Sequence, residues 1–175
     1  MIVFEEEFRN DSIYDVAKKI ATAARTAPKA RGTDNMEIAV ATGDTLEAIA
    51  VAMTKYAEEH DVAFFARDAE NLRRSAAVVL IGSKVSCLGL NCGYCGFATC
   101  AEKAKYANVP CFFNANDMGI AVGSAVALAA NLRVDNRVMF SVGKIAKDLG
   151  LLKDCAMVLA IPLSVSGKSP YFDRK

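Results

Sequence analysis

The stretch that most constrains this chain runs from Cys87 to Cys100. It reads CLGLNCGYCGFATC and sets Cys87, Cys92, Cys95 and Cys100 within fourteen residues. Thiolates at such short spacing, separated by glycines that free the backbone to wrap around a centre, are what a metal ion or an iron-sulfur cluster requires. The stretch reads as a loop, and the rest of the chain as the scaffold that holds it.

Spacing alone writes two ligand sets into this region. Cys87-x4-Cys92-x2-Cys95 is a ferredoxin-type spacing that needs a fourth ligand elsewhere. Cys92-x2-Cys95-x4-Cys100, followed by Cys111, is a second complete set. Structural zinc favours two short C-x2-C pairs separated by a longer insert, and here there is one such pair and no histidine nearby. A non-enzymatic module built on structural zinc therefore stands as an alternative, as does a simple dithiol. Cys155, alone at the start of an apolar run, reads as a small buried hydrophobe.

At 175 residues the chain matches one domain, 1–175, with a cysteine-rich segment at 87–111. Its 21 Lys+Arg against 20 Asp+Glu leave a net charge of +1, which supplies no bulk field for nucleic acid or an anionic membrane. The 53% of hydrophobic residues never run for the eighteen or more positions of a membrane span, so the surplus reads as core plus the interface of a homodimer. The start, MIVFEEEFRND, carries three glutamates where a secretory signal would be basic. A cytoplasmic protein is expected, and in a reducing compartment clustered cysteines are thiols or metal ligands rather than disulfides.

Along the chain, Ile2 to Phe4 is a short strand candidate. Asp11 to Ala27 is an amphipathic helix, with Ile13, Val16, Ala17, Ile20, Ala21 and Ala24 on one stripe. Met36 to Ala41 predicts a strand, and Asp44-Thr45-Leu46-Glu47 has the form of a capping box opening the next helix. His60, at the polar end of that helix, reads as an exposed residue interacting with the helix dipole rather than a general base. Val62 to Ala66 is a weak strand, Asp68 to Ser75 a short helix, and Ala77 to Gly82 a continuous apolar run of the kind found in strands buried on both faces. Helices are expected over Thr99 to Asn108, over Met118 to Leu132 with Asn116 as cap, and over Val138 to Leu149. Cys155 to Leu163 is the last strand. Gly119 and Gly123 in the apolar helix suggest close backbone packing, at the centre of the fold or of a dimer.

NCGYCGFATC, with Cys111 downstream in VPCFFNANDMGIAVGSA, resembles the four-cysteine cluster-binding domain of electron-transfer proteins, whose pattern is C-G-x-C-G-x-x-x-C and a later cysteine. That resemblance implies Cys92, Cys95, Cys100 and Cys111 as ligands of a [4Fe-4S] cluster and leaves Cys87 as a neighbour. The whole chain resembles prokaryotic proteins described as containing a ferredoxin domain, through AARTAP, GLNCGYCGFATC, MGIAVGSAVALAA, VDNRVMFSVG, KDLGLL and IPLSVSGKSPYFDR. The two resemblances together imply an iron-sulfur redox protein passing electrons to a partner protein or a small-molecule acceptor.

A looser resemblance extends to flavin-dependent nitroreductases, in AARTAP, the long MGIAVGSAVALAANL helix and the late IPL strand. It implies an α+β fold, a mixed sheet flanked by helices in a three-layer sandwich, and a dimer binding FMN between its subunits. The arginine-rich phosphate motif of those enzymes is missing: Arg9 stands alone among glutamates. Arg25 and Lys168 are then the cofactor-binding candidates, with Lys29, Arg31 and Arg174 as further basic residues. The SGKS of Ser166 to Ser169 is no nucleotide loop, because Pro162 stands where the first glycine belongs and Pro170 where a helix should begin.

Overall fold

The computed structural model describes residues 1–172. Its elements are α1 (Glu5–Thr26), a 3-10 turn (Ala30–Gly32), β1 (Met36–Thr42), α2 (Asp44–His60), α3 (Ala63–Arg73), β2 (Ala77–Ser83), α4 (Cys100–Lys103), α5 (Phe112–Asn131), β3 (Asp135–Asn136), α6 (Phe140–Asp148) and β4 (Met157–Ser164). The strands form one sheet in the order β1-β2-β4-β3. Helices cover both faces, so the architecture is the expected α+β sandwich of three layers.

β2 explains the layering. All seven of its residues are buried, and alternate side chains serve opposite faces. Val78 and Leu80 join Leu46, Ile49, Met53, Phe65, Leu72, Val142 and Ile145 in a core beneath α2, α3 and α6. Val79 and Ile81 join Ile13, Ile20, Ala121, Ala125 and Ile161 in a second core beneath α1 and α5. A strand buried on both sides needs the continuous apolar run that the sequence provides. Each fully buried Leu or Ile here contributes roughly 1.5–3 kcal/mol.

The sheet is antiparallel along every described pairing, where a mixed sheet is expected. The cause is α3. Val62 to Ala66 is read from sequence as a strand, but Phe65, Ala69 and Leu72 repeat at helical spacing and are all buried. Two full helices therefore separate β1 from β2, and an up-down pair of helices returns the chain in the opposite direction.

Other boundaries shift for local reasons. Ile2 to Phe4 is exposed coil rather than strand. α1 starts six residues earlier than expected because Glu5, Glu6 and Glu7 suit the positive end of the helix dipole, and the Glu7 carboxylate accepts the Phe4 N–H at 3.4 Å. α2 is preceded by Gly43 with no side-chain cap; Glu47 instead receives the Arg73 guanidinium at 3.1 Å. His60 ends α2 against the Tyr56 ring, 4.1 Å between centroids. Asp135–Asn136 pairs with the end of β4 and is too short to announce itself as a strand.

Close approach decides two glycines. A Cβ at Gly143 would land on the Val158 carbonyl and within 3.0 Å of the Leu159 Cα, so α6 lies directly on the β4 backbone. A Cβ at Gly82 would sit 2.6 Å from the Cys155 Sγ. Gly119 and Gly123, by contrast, would present a Cβ to nothing within 4 Å among the described residues, so the close packing expected there is not seen among them. Among the described residues no helix is long and apolar enough to cross a membrane.

Candidate metal centre

The cysteine loop leaves the end of β2 and is tied down before the first cysteine. The Lys84 N–H donates to the Asn35 carbonyl at 3.0 Å, and the Ser86 N–H donates to Asn114 Oδ1 at 3.1 Å. Arg31 reaches across from the turn after α1 and donates to the Leu88 carbonyl at 2.6 Å. That turn is itself fixed to α5, since the Ala30 N–H donates to the buried Asp117 carboxylate at 3.1 Å. The turn after α1 thus braces the loop.

Gly89, Asn91, Gly93 and Gly96 all adopt positive φ, which coils the backbone inward around the cysteines. Asn91 clasps Cys100 from both ends: its N–H points to the Cys100 Sγ at 3.3 Å, and its Oδ1 accepts the Cys100 N–H at 2.8 Å. The backbone N–H of Asn91 holds the Cys100 thiol below its ordinary value, aided by Cys87 and by the N–H groups of Gly89 and Leu90. Loss of water and the neighbouring Cys100 push the Cys87 thiol up. The Cys87 thiol also donates to the Cys100 carbonyl at 3.4 Å, so these two cysteines are in contact.

Cys111 is buried and forms the N-cap of α5, five residues earlier than the Asn116 cap expected from sequence. In a reciprocal box, its sulfur faces the Asn114 N–H while Asn114 Oδ1 accepts the Cys111 N–H at 3.1 Å. Tyr94, inside the Cys92–Cys95 turn, packs edge-on against Phe112, with centroids 5.3 Å apart. The C-G-Y-C turn is therefore seated on the first turn of the helix that Cys111 opens. After Cys95, the helix expected over Thr99 to Asn108 shrinks to Cys100–Lys103, capped by Thr99 Oγ1, which accepts the Glu102 N–H at 3.1 Å.

Among the described residues, no three Cys, His, Asp or Glu side chains converge closely enough to share one ion. Cys92 and Cys95 are half-buried on their turn, Cys111 is buried at the start of α5, and Cys87 and Cys100 touch each other. The donor set nevertheless fits a thiolate-held centre chemically. It offers soft sulfur ligands, backbone N–H groups already aimed at one sulfur, and backbone turns that only glycine or asparagine adopt readily.

The basic residues considered for a phosphate are dispersed. Arg25 donates to the Asp34 carboxylate at 2.7 Å and to the Met36 carbonyl at 3.0 Å. Burial raises the Asp34 carboxyl, but the hydrogen bonds from Arg25 and the Met36 N–H outweigh it and hold it below its ordinary value. Lys29 folds back onto the Ala24 carbonyl at 3.2 Å. Lys168 is exposed on the segment after β4, where its carbonyl accepts from Ser166 Oγ at 2.6 Å. Arg174 lies outside the described residues.

Cys155 is buried away from this loop, 3.7 Å from Glu37 Oε2. Burial, then the Glu37 charge, pushes its thiol from 9.0 up to about 11. The unfolded chain ionises this thiol before the folded chain does, so its contribution to stability is complete below pH 9 and is lost as pH rises from 9 towards 11. Melting temperatures across that range should fall more steeply for the native protein than for Cys155→Ala. Parallel curves would contradict this.

Asn91, Asn114 and Tyr94 are residues around the cysteine loop that sequence reasoning misses, and Arg31, read there only as a basic residue, meets the Leu88 carbonyl instead. Asn114 has a signal, since it stands three residues after a residue able to cap a helix. The others are defined by tertiary contacts alone.

A protein of Archaeoglobus fulgidus described as an uncharacterized protein is 43% identical over 182 residues, covering 99% of this chain and 98% of its own. The family described as uncharacterized proteins containing a ferredoxin domain matches residues 107–174, a span that includes Cys111 and stops short of Cys100. Among solved structures, a nitroreductase family protein from Clostridium novyi NT superposes with a TM-score of 0.61 at 20% identity, over 91% of this chain and 76% of its own. A BluB-like flavoprotein from Clostridium difficile 630 gives 0.59 at 19%, over 88% and 84%. A putative nitroreductase in complex with FMN from Desulfovibrio desulfuricans gives 0.58 at 14%, over 92% and 78%. At such identities the likeness is one of fold. By its full-length relative and its matching segment, this chain belongs to the family of uncharacterized proteins containing a ferredoxin domain, built on the fold of the nitroreductases.

Proposed function

We propose that the chain is an electron-transfer protein whose Cys92, Cys95, Cys100 and Cys111 hold one [4Fe-4S] cluster. The observation that carries this reading is the seating of the Cys92–Cys95 turn, through Tyr94 and Phe112, on the helix that Cys111 opens. A bound cluster supplies one-electron exchange at a potential set by its surroundings. The chain's own part is to orient and charge the ligands. Asn91 favours the ionised form of Cys100 by donating its N–H, and Asn114 fixes the Cys111 backbone. Cys87 stands beside Cys100 outside the ligand set. The experiment is anaerobic purification, then a visible spectrum and a low-temperature EPR spectrum of the reduced protein. A broad absorption near the blue end, bleached on reduction, with a rhombic signal is expected; a colourless, EPR-silent protein after reconstitution is the contrary result.

A second reading has its own support in the fold, which the FMN complex from Desulfovibrio desulfuricans shares. In it a homodimer binds FMN between its subunits, with Arg25 and Lys168 near the phosphate, and the cluster feeds the flavin. The acidic opening of α1 and the Arg25–Asp34 pair weigh against a phosphate there. Titration of FMN, followed by quenching of flavin fluorescence, decides it. Saturable quenching weakened by Arg25→Ala or Lys168→Ala supports the reading, and no quenching at high micromolar flavin removes it.

A further inference from the structure

Cys87 has no role in the proposed ligand set, yet it is held against a member of that set. Its thiol donates to the Cys100 carbonyl at 3.4 Å, and the two side chains are hydrogen-bonded to each other. The limbs that carry these sulfurs are both pinned by their neighbours. On one, the Ser86 N–H before Cys87 donates to Asn114 Oδ1 at 3.1 Å, and the Leu88 carbonyl after it accepts from Arg31 at 2.6 Å. On the other, Asn91 holds Cys100 through its N–H, 3.3 Å from the Sγ, and through its Oδ1, which accepts the Cys100 N–H at 2.8 Å. Joining two thiols ordinarily costs the entropy of closing the chain between them, and here the fold has already closed it. The pair is also reachable, since Cys87 is exposed and Cys100 half-buried.

We propose that Cys87 and Cys100 are a redox pair, which a peroxide closes into a disulfide when the loop carries no cluster. The bridge itself needs no cluster; its effect on iron uptake rests on the cluster reading. The O–O bond of the peroxide breaks as the Cys100 sulfur takes one oxygen, which leaves a sulfenic acid and releases water. Cys100 is the sulfur attacked first, because the Asn91 N–H aimed at it offsets negative charge there. The Cys87 sulfur then attacks the Cys100 sulfur: the S–S bond forms, the S–O bond breaks, and hydroxide leaves with the Cys87 proton as a second water. Two thiols have given two electrons to one peroxide, and a dithiol reductant returns them by exchange. While the bridge stands, Cys100 is withheld from iron. It is also kept from sulfinic acid, a state that thiols do not reverse. Cys87 thus preserves Cys100 as a ligand through oxidation.

The test treats reduced, iron-free protein with one equivalent of hydrogen peroxide, alkylates the remaining thiols and maps the peptides by mass. Wild type should lose two of its six free thiols. The Cys87–Cys100 peptide pair should exceed any other pairing by about tenfold, the advantage of thiols already in contact. A main product joining Cys92 to Cys95, or Cys100 to any cysteine but Cys87, overturns the proposal, as does full retention of the thiols. Cys87→Ala, which alters only an exposed side chain, supplies the second arm. After excess peroxide and then dithiothreitol, wild type should regain the Cys100 thiol, whereas Cys87→Ala should keep Cys100 as sulfinic acid, heavier by two oxygens. Equal recovery of the thiol in the two proteins overturns the proposal. A fully reduced wild-type protein that takes up no iron removes the cluster reading and leaves a mapped bridge standing.

Discussion

Gly143→Ala should cost the chain much of its stability. The added methyl has nowhere to go: it lands on the Val158 carbonyl, and both α6 and β4 are fixed by the core that holds Val142, Ile145 and Ala160. Overpacking typically costs about 1–3 kcal/mol, and a clash with backbone belongs at the top of that range or above it. For a chain of this size about 3 kcal/mol corresponds to a melting temperature lower by roughly 6–12 °C. Thermal unfolding followed by circular dichroism reads this directly, and a shift under about 2 °C, the least that even 1 kcal/mol would give, would mean that α6 does not rest directly on β4. Gly119→Ala is the matched comparison. It fills open space within the subunit and gains helix propensity, about 0.8–1 kcal/mol at most. A marked loss of stability there would instead report a second helix packed against this face, as a dimer requires.

The cysteine series has the largest expected effect on function. Cys92→Ser, Cys95→Ser, Cys100→Ser and Cys111→Ser should each abolish or severely reduce the visible chromophore after reconstitution, while Cys87→Ser and Cys155→Ser retain it. Cys111→Ser is the informative member. Serine is among the best helix N-caps, so the substitution preserves or improves the start of α5 while replacing a soft ligand by a hard one. Loss of the chromophore in a variant that melts like wild type is then attributable to ligation alone. Loss with Cys87→Ser and retention with Cys111→Ser would move the site to the four cysteines between 87 and 100, whose Cys87 and Cys100 already touch.

The elements that sequence patterning finds are those in which one period dominates. β2 is apolar throughout because both faces are buried, and α1, α2 and α6 carry clean stripes. Patterning fails where two signals compete. The residues after His60 are β-prone when taken five at a time and helical only when read through to Leu72, so α3 stands where a strand is expected. The start of α5 is hidden because cysteine is not an expected cap. Once Cys111 is recognised as one, Asn114 completes the box.

The cysteines themselves are legible from spacing, and the residues that tune them are not. Asn91 looks like an ordinary turn residue in sequence, yet it holds Cys100 through both its N–H and its Oδ1. Arg25 stands out because it ends AAR, but the ion pair with Asp34, nine residues on, depends on how the intervening turn folds back.

The central claim is that this loop holds an iron-sulfur cluster, and the most direct measurement is the iron, acid-labile sulfide and zinc content of anaerobically purified, reconstituted protein. The account predicts about four iron and about four sulfide per chain, as a [4Fe-4S] centre requires, with negligible zinc. One equivalent of zinc with iron absent, or less than one iron per chain, would contradict it.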